Sequence, residues 1–131
     1  MNRKKTRVIR IGNIKIGGNN PISVQSMTNT TTRNLKATVN QIKALNKAGA
    51  EIVRVAIPDL VSAKNIAKIK EKVNIPLIAD IHFDYKLAIE SIKQNIDGLR
   101  LNPGNIGSDK KVKEIIDAAR DKKIPIRIGV N

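Results

Sequence analysis

Apolar residues recur along this chain in two alternating rhythms. Short runs rich in Ile, Val and Leu are each followed by a longer stretch in which apolar residues return every three or four positions. The first rhythm is that of buried β-strands and the second that of amphipathic helices. PISVQSM (Pro21–Met27) predicts a strand, and Leu35, Val39, Ile42 and Leu45 predict the helix after it, with Gly49 placed to end that helix. EIVRVAI (Glu51–Ile57) predicts the second strand. Pro58-Asp59 then opens a helix with Leu60, Ala63, Ile66, Ala67 and Val73 inward. IPLIADI (Ile75–Ile81) is followed by a helix carrying Leu87, Ala88, Ile92 and Ile96. GLRLN (Gly98–Asn102) is followed by one carrying Val112, Ile115, Ile116 and Ala119, capped by Ser108 or Asp109. IPIRIGV (Ile124–Val130) predicts a fifth strand.

Before these units, VIRIGNIKIGG (Val8–Gly18) alternates apolar and polar residues about a Gly-Asn turn, as a β-hairpin does. Such a hairpin suits the bottom of a barrel or a plain sheet edge. The chain therefore divides into a basic tail and hairpin over 1–20 and a β/α segment over 21–131. Strict alternation predicts a parallel sheet with right-handed crossovers, in an α/β fold. A dinucleotide-binding sheet wants glycines after its first strand, and TNTTTRN (Thr28–Asn34) has none. A closed (β/α)8 barrel typically needs about 250 residues. The expected fold is thus an incomplete TIM-type barrel of about five parallel strands and four helices, with the N-terminal hairpin.

Composition narrows the function. The 131 residues carry 25 basic and 11 acidic side chains, a net charge of +14. That surplus suits a polyanion. Yet 17 of the basic residues are Lys, beside 22 Ile and 14 Asn, and these three residue types share AT-rich codons, so much of the charge reads as a solvated helix surface. Phe83 and Tyr85 are the only aromatics, too few for the stacking platforms of a single-strand binder. The chain has no cysteine, which excludes disulfides and any thiolate metal or cluster site held by these residues. The basic start is not followed by an apolar run of signal-peptide length, and no run approaches a membrane span, so the cytoplasm is the expected location.

The strand ends hold the candidate chemistry, because parallel α/β folds bind ligands there. Three of the eight arginines interrupt apolar strands, at Val53-Arg54-Val55, Leu99-Arg100-Leu101 and Ile126-Arg127-Ile128. A charge within a buried strand is costly unless paired. Either each arginine pairs with an acidic neighbour such as Asp80, or the three converge on one multiply charged anion, for which the guanidinium fork is suited. The third strand runs into Asp80, His82 and Asp84, and Asn102 ends the fourth. His82, the one histidine, suits a structural hydrogen bond or a role as proton donor or ligand. Two carboxylates and one imidazole are poor grounds for a metal site, and none is assigned. NPGNIG (Asn102–Gly107) suits an ordinary turn or a backbone anion nest.

Several motifs, in order, resemble the 4-hydroxy-3-methylbut-2-en-1-yl diphosphate synthase family: VQSMTNT (Val24–Thr30), VNQIKALNKAGAEIVRVAIP (Val39–Pro58), IPLIADIHFDYKLA (Ile75–Ala88), LRLNPGNIG (Leu99–Gly107) and ARDKKIPIRIGVN (Ala119–Asn131). The resemblance runs from about Arg7 onward. It implies an oxidoreductase of the methylerythritol phosphate route to isoprenoids, with an N-terminal (β/α) barrel binding 2-C-methyl-D-erythritol 2,4-cyclodiphosphate. The matching positions imply substrate contacts from Arg54, Arg100, Arg127 and Asn131, with Asp80, His82 and Asn102 lining the same mouth; no catalytic residue is assigned. The resemblance further implies reductive ring opening at a [4Fe-4S] cluster held by three cysteines and a glutamate in a separate domain. It also implies flavodoxin or ferredoxin as electron donor and a homodimer. The cluster ligands, the later barrel units and that domain are absent from these residues. The 131 residues alone are therefore expected to be inactive, and their open sheet exposes unpaired edges. The competing reading is a basic RNA- or polyanion-binding module, with Gly104-Asn105-Ile106-Gly107 matching the GXXG loop of KH domains. A decayed, inactive gene product is a third.

Overall fold

The computed structural model describes residues 4–130. Two short strands, β1 (Ile9–Ile11) and β2 (Ile14–Ile16), pair antiparallel as the predicted hairpin. Gly12 makes its turn with φ of 57°, in the left-handed region that glycine adopts at little cost. Five further strands follow: β3 (Gln25–Met27), β4 (Ile52–Ala56), β5 (Leu77–Ile81), β6 (Gly98–Leu101) and β7 (Ile126–Ile128). They form one parallel sheet in strict chain order, β3-β4-β5-β6-β7. Sequential order separates a barrel from a doubly wound sheet, whose strand order reverses at a switch point.

The sheet is also strongly curved. Arg127 Nη1 on β7 donates to Gln25 Oε1 on β3 at 3.4 Å, although three strands lie between them. In a flat sheet, four strand spacings would separate β3 from β7 by roughly 19 Å. That exceeds what an arginine and a glutamine bridge together. The contact requires the sheet to curl about an inner face, as a barrel does.

Helices α1 (Leu35–Lys47), α2 (Leu60–Lys72), α3 (Tyr85–Lys93) and α5 (Asp109–Asp121) cover the outer face. Val53, Val55, Leu77, Ala79, Ile81, Leu99 and Leu101 meet Val39, Ile42, Ile66, Ile69, Ala88, Ile92 and Ile115 in one buried core. Each helix starts on a polar cap: the side chains of Asn34, Asp59, Asp84 and Ser108 accept from the backbone N–H of Ala37, Ser62, Lys86 and Lys111. Ser108, rather than Asp109, is thus the cap of α5. Such a cap contributes about 1 kcal/mol.

Several local expectations change. NPGNIG is neither a plain turn nor an open nest; Pro103–Ile106 forms a one-turn helix, α4, the fifth helix of the fold. Proline suits a first helical turn because its missing N–H would be unpaired there anyway. Leu60, expected inward, is exposed, and so is Ile116 among the apolar residues of the last helix. Leu60 is the first residue of α2, above the core, and Ile116 stands about 100° round the helix from buried Ile115. The strands are shorter than the apolar runs. Ile22 and Val24 precede β3 and are exposed, since that strand pairs on one side only.

The hairpin closes the lower end of the inner face. A Cβ on Gly98 would lie 3.4 Å from Ile78 Cγ1 and 3.7 Å from Ile11 Cγ2. Ile11 therefore sits over the strand bottoms, leaving the upper end as the open mouth.

Candidate functional site

Strand register decides which way the arginines point. Asp80 on β5, Arg100 on β6 and Arg127 on β7 are successive ladder partners, so they share one face. Arg54 pairs with Ile78, two residues before Asp80 on β5, and period two places it on that same face. All three strand arginines thus line the inner face, opposite the helices.

Asp80 organises them. Its carboxylate is buried, with 4% of the side chain exposed. Oδ1 lies 3.4 Å from Arg100 Nη1, and Oδ2 lies 3.7 Å from Arg54 Nε and 3.2 Å from His82 Nε2. The pairing alternative is therefore realised for Arg54 and Arg100, while all three arginines also share the inner face. Three guanidinium groups against one carboxylate leave the inner face with two uncompensated positive charges. Arg100 and Arg127 are direct ladder partners, an arrangement in which like charges repel. Arg54 Nε is buried and makes no hydrogen bond, while its Nη2 reaches Met27 Sδ at 3.5 Å. A cluster with surplus charge and an unused buried donor suits an anion with several oxygens.

The remaining expected residues fall in different places. His82 is half exposed at the rim, its ring edge-on to Phe83. Asn102 is buried just beyond β6, and its Oδ1 accepts from Gly104 N at 3.1 Å as the cap of α4. That bond fixes Asn102 at the mouth but uses one acceptor position. Asn131 lies outside the described residues. Three further residues lie against the arginines: Gln25, which accepts from Arg127; Met27, beside Arg54; and Gly129, where the Arg100 guanidinium fills the space a Cβ would take. The only cue to them was their place in or beside the strands. Among the described residues, no group of three or more His, Cys, Asp or Glu is placed to hold a metal ion.

The loops that frame the mouth are tied to the helices. Asn65, buried in α2, donates through Nδ2 to the carbonyls of Thr32 and Arg33 at 3.0 and 3.2 Å. Thr32 Oγ1 in turn donates to Ala56 O at the end of β4. At the start of α2, the Ser62 backbone N–H holds the Asp59 carboxyl below the usual carboxylate range, helped by Arg33 at 3.8 Å.

Comparison with known proteins agrees with this geometry. Residues 6–131 match the family described as the GcpE TIM-barrel domain. A 4-hydroxy-3-methylbut-2-en-1-yl diphosphate synthase (flavodoxin) from Thermodesulfovibrio yellowstonii is 62% identical over 129 residues, covering 98% of this chain and 37% of the relative. Proteins of the same name from Caldanaerobacter subterraneus and Fusobacterium nucleatum are 59% and 57% identical, over 98% of this chain and 36% of each relative. Among solved structures, a 7,8-dihydropteroate synthase from Vibrio fischeri superposes with a TM-score of 0.68 at 14% identity, over 94% of this chain and 48% of that one, a likeness of fold alone. The chain spans little more than a third of the length of the curated relatives it matches. With its sequential parallel strands, curved inner face and nearly full-length match, this chain belongs to the GcpE TIM-barrel family, shared with the 4-hydroxy-3-methylbut-2-en-1-yl diphosphate synthases.

Proposed function

We propose that this chain forms the diphosphate-binding part of a 4-hydroxy-3-methylbut-2-en-1-yl diphosphate synthase, holding 2-C-methyl-D-erythritol 2,4-cyclodiphosphate at the barrel mouth. The observation that carries this reading is the convergence of Arg54, Arg100 and Arg127 on one inner face, where Asp80 pairs with Arg54 and Arg100 and Arg127 donates to Gln25. A cyclic diphosphate carries the matching negative charges. Charge-assisted hydrogen bonds from guanidinium to phosphate oxygens are roughly twice as strong as neutral ones. Asp80 holds Arg54 and Arg100 at a fixed separation, and the substrate docks against their free edges. His82 and Asn102 contact the substrate from the rim, and Asn131 completes the set.

The reaction of the whole protein is a two-electron reductive opening of the ring with loss of water, feeding isoprenoid synthesis in the cytoplasm. Flavodoxin, which stands in the relatives' names, is the proposed electron donor, and a homodimer is the proposed working unit. The redox chemistry belongs to a [4Fe-4S] cluster. These 131 residues do not fit that group, since they include no cysteine. Their part is to bind and orient: the arginines neutralise the diphosphate, and the hairpin closes the floor beneath it. Bound alone, the chain is expected to hold the substrate without turning it over.

The RNA-binding alternative finds no support. Gly104 lies within α4 and Gly107 ends it, with Ile106 buried between them, inside a barrel fold rather than a KH module. Isothermal titration of the chain with the cyclodiphosphate is the direct test. Saturable binding that weakens about ten- to a hundred-fold in each of Arg54→Ala, Arg100→Ala and Arg127→Ala is expected. Absence of saturable binding, or equal retention of unfractionated RNA and the cyclodiphosphate, would count against the proposal.

A further inference from the structure

We propose that Gly129 is a positioning residue that seats the Arg100 guanidinium, and that its missing side chain is a requirement of diphosphate binding rather than of folding. The inference rests on the diphosphate-binding reading above. Gly129 follows β7 directly, and its N–H donates to Leu101 O at 2.7 Å, locking it beside the strand that carries Arg100. Its φ is not among the positive values of the chain, so the backbone there admits any residue. Space is what it lacks. A Cβ on Gly129 would fall 2.6 Å from Arg100 Nε and 2.7 Å from Arg100 Cζ, with Nη2 closer still. Carbon in van der Waals contact sits at about 3.5–4 Å, so the whole guanidinium plane would have to leave.

Which group yields decides the consequence. At Gly12 the obstructing atoms belong to the Pro76 ring, and at Gly17 to the backbone of Arg7, so a side chain there would press on the fold itself. At Gly129 the obstruction is the end of a flexible side chain. Arg100 can swing toward the mouth without moving the backbone. In doing so it gives up its place 3.4 Å from Asp80 and its registration with Arg54 and Arg127. A methyl group at 129 is therefore expected to spare the fold and misplace one of the three anion-binding groups. The signature separates it from Gly12 and Gly17, where stability would fall first.

Two measurements on the 131-residue chain test this. The first needs no ligand. The Arg100 Nε–H resonance, assigned by its disappearance in Arg100→Lys, should shift in Gly129→Ala while the far-ultraviolet circular dichroism spectrum stays in place and the melting midpoint falls by less than in Asp80→Asn, since only one of the two arginine pairs is lost. An unmoved Arg100 resonance overturns the proposal. The second is titration with the cyclodiphosphate and, separately, with inorganic pyrophosphate. Gly129→Ala should weaken binding by about tenfold or more, and in an Arg100→Ala background the same substitution should change affinity by less than about twofold. A full effect persisting without Arg100 means that Gly129 acts by another route, and the inference fails while the binding reading stands. If the unsubstituted chain binds neither probe, the binding reading fails, and the functional part of the inference fails with it. The resonance then still reports whether Gly129 seats Arg100.

Discussion

Replacing Asp80 by Asn separates what the carboxylate does for the fold from what it does for the anion. The change keeps the shape and removes the one carboxylate that, among the described residues, contacts Arg54 and Arg100, at 3.7 and 3.4 Å. At an effective dielectric near 20, each such pair attracts by roughly 5 kcal/mol. Much of that is cancelled by the cost of burying the carboxylate. Breaking a fully buried pair typically costs about 3–5 kcal/mol. The two guanidinium groups are partly open, at 28% and 18% side-chain exposure, and relax toward water once released. A net loss of about 2–3 kcal/mol follows, which lowers the melting midpoint of a domain of this size by roughly 8–12 °C. The chain has no tryptophan, so unfolding is followed by circular dichroism at low ionic strength. The diagnostic step is the addition of pyrophosphate. With Asp80 gone, three arginines face one another without a counter-charge, so an anion that binds the folded state should restore more stability to Asp80→Asn than to the parent. An unchanged midpoint, or a deficit that pyrophosphate leaves untouched, would refute the account of Asp80 as the counter-charge of an anion site.

Arg127 gives the opposite balance: it is exposed and, among the described residues, bonded to Gln25 at a long 3.4 Å, so Arg127→Ala should change urea-unfolding stability by less than about 0.5 kcal/mol while weakening cyclodiphosphate binding about tenfold or more. Asn65→Ala should cost about 1–3 kcal/mol in the same unfolding assay, because two loop carbonyls lose their buried donor. Asp59 sets an acid limb. Its folded-state pKa is lowered chiefly by the Ser62 backbone N–H, so its contribution is complete above the ordinary carboxylate value near 4 and is lost as pH falls through the lowered one. Asp59→Asn keeps the cap and removes the titration, so its stability should vary less with pH below about 4 than that of the parent, by urea midpoints taken across that range.

Much of the architecture was legible because β-branched runs and 3.6-residue periodicity are local signals. The hairpin, the five parallel strands and the four long helices stand where those patterns placed them. Element ends were less legible, since pairing rather than composition sets them. Ile22 and Val24 fit a strand by residue type yet have no partner on their open side. The one-turn helix at Pro103–Ile106 was hidden because Gly and Asn signal turns, whereas the cap from Asn102 and the burial of Ile106 are tertiary facts.

The site divides in the same way. The sequence by itself determined that three arginines interrupt apolar strands, that the third strand of the β/α segment runs into Asp80 and His82, and that no thiolate is available among these residues. Residue type and spacing suffice for that, since a charge in an apolar run demands a partner wherever it points. Facing was decided only by tertiary structure, because a one-residue slip of register would have sent each arginine to the helix side. Register put Arg54, Arg100 and Arg127 on the inner face, and curvature brought Arg127 within reach of Gln25, 102 residues away in the chain. Neither the sharing of one carboxylate by two arginines nor the space at Gly129 filled by Arg100 is written in any single segment. Both arise where strands from different units meet, and a distance between such strands exists only once the sheet has curled.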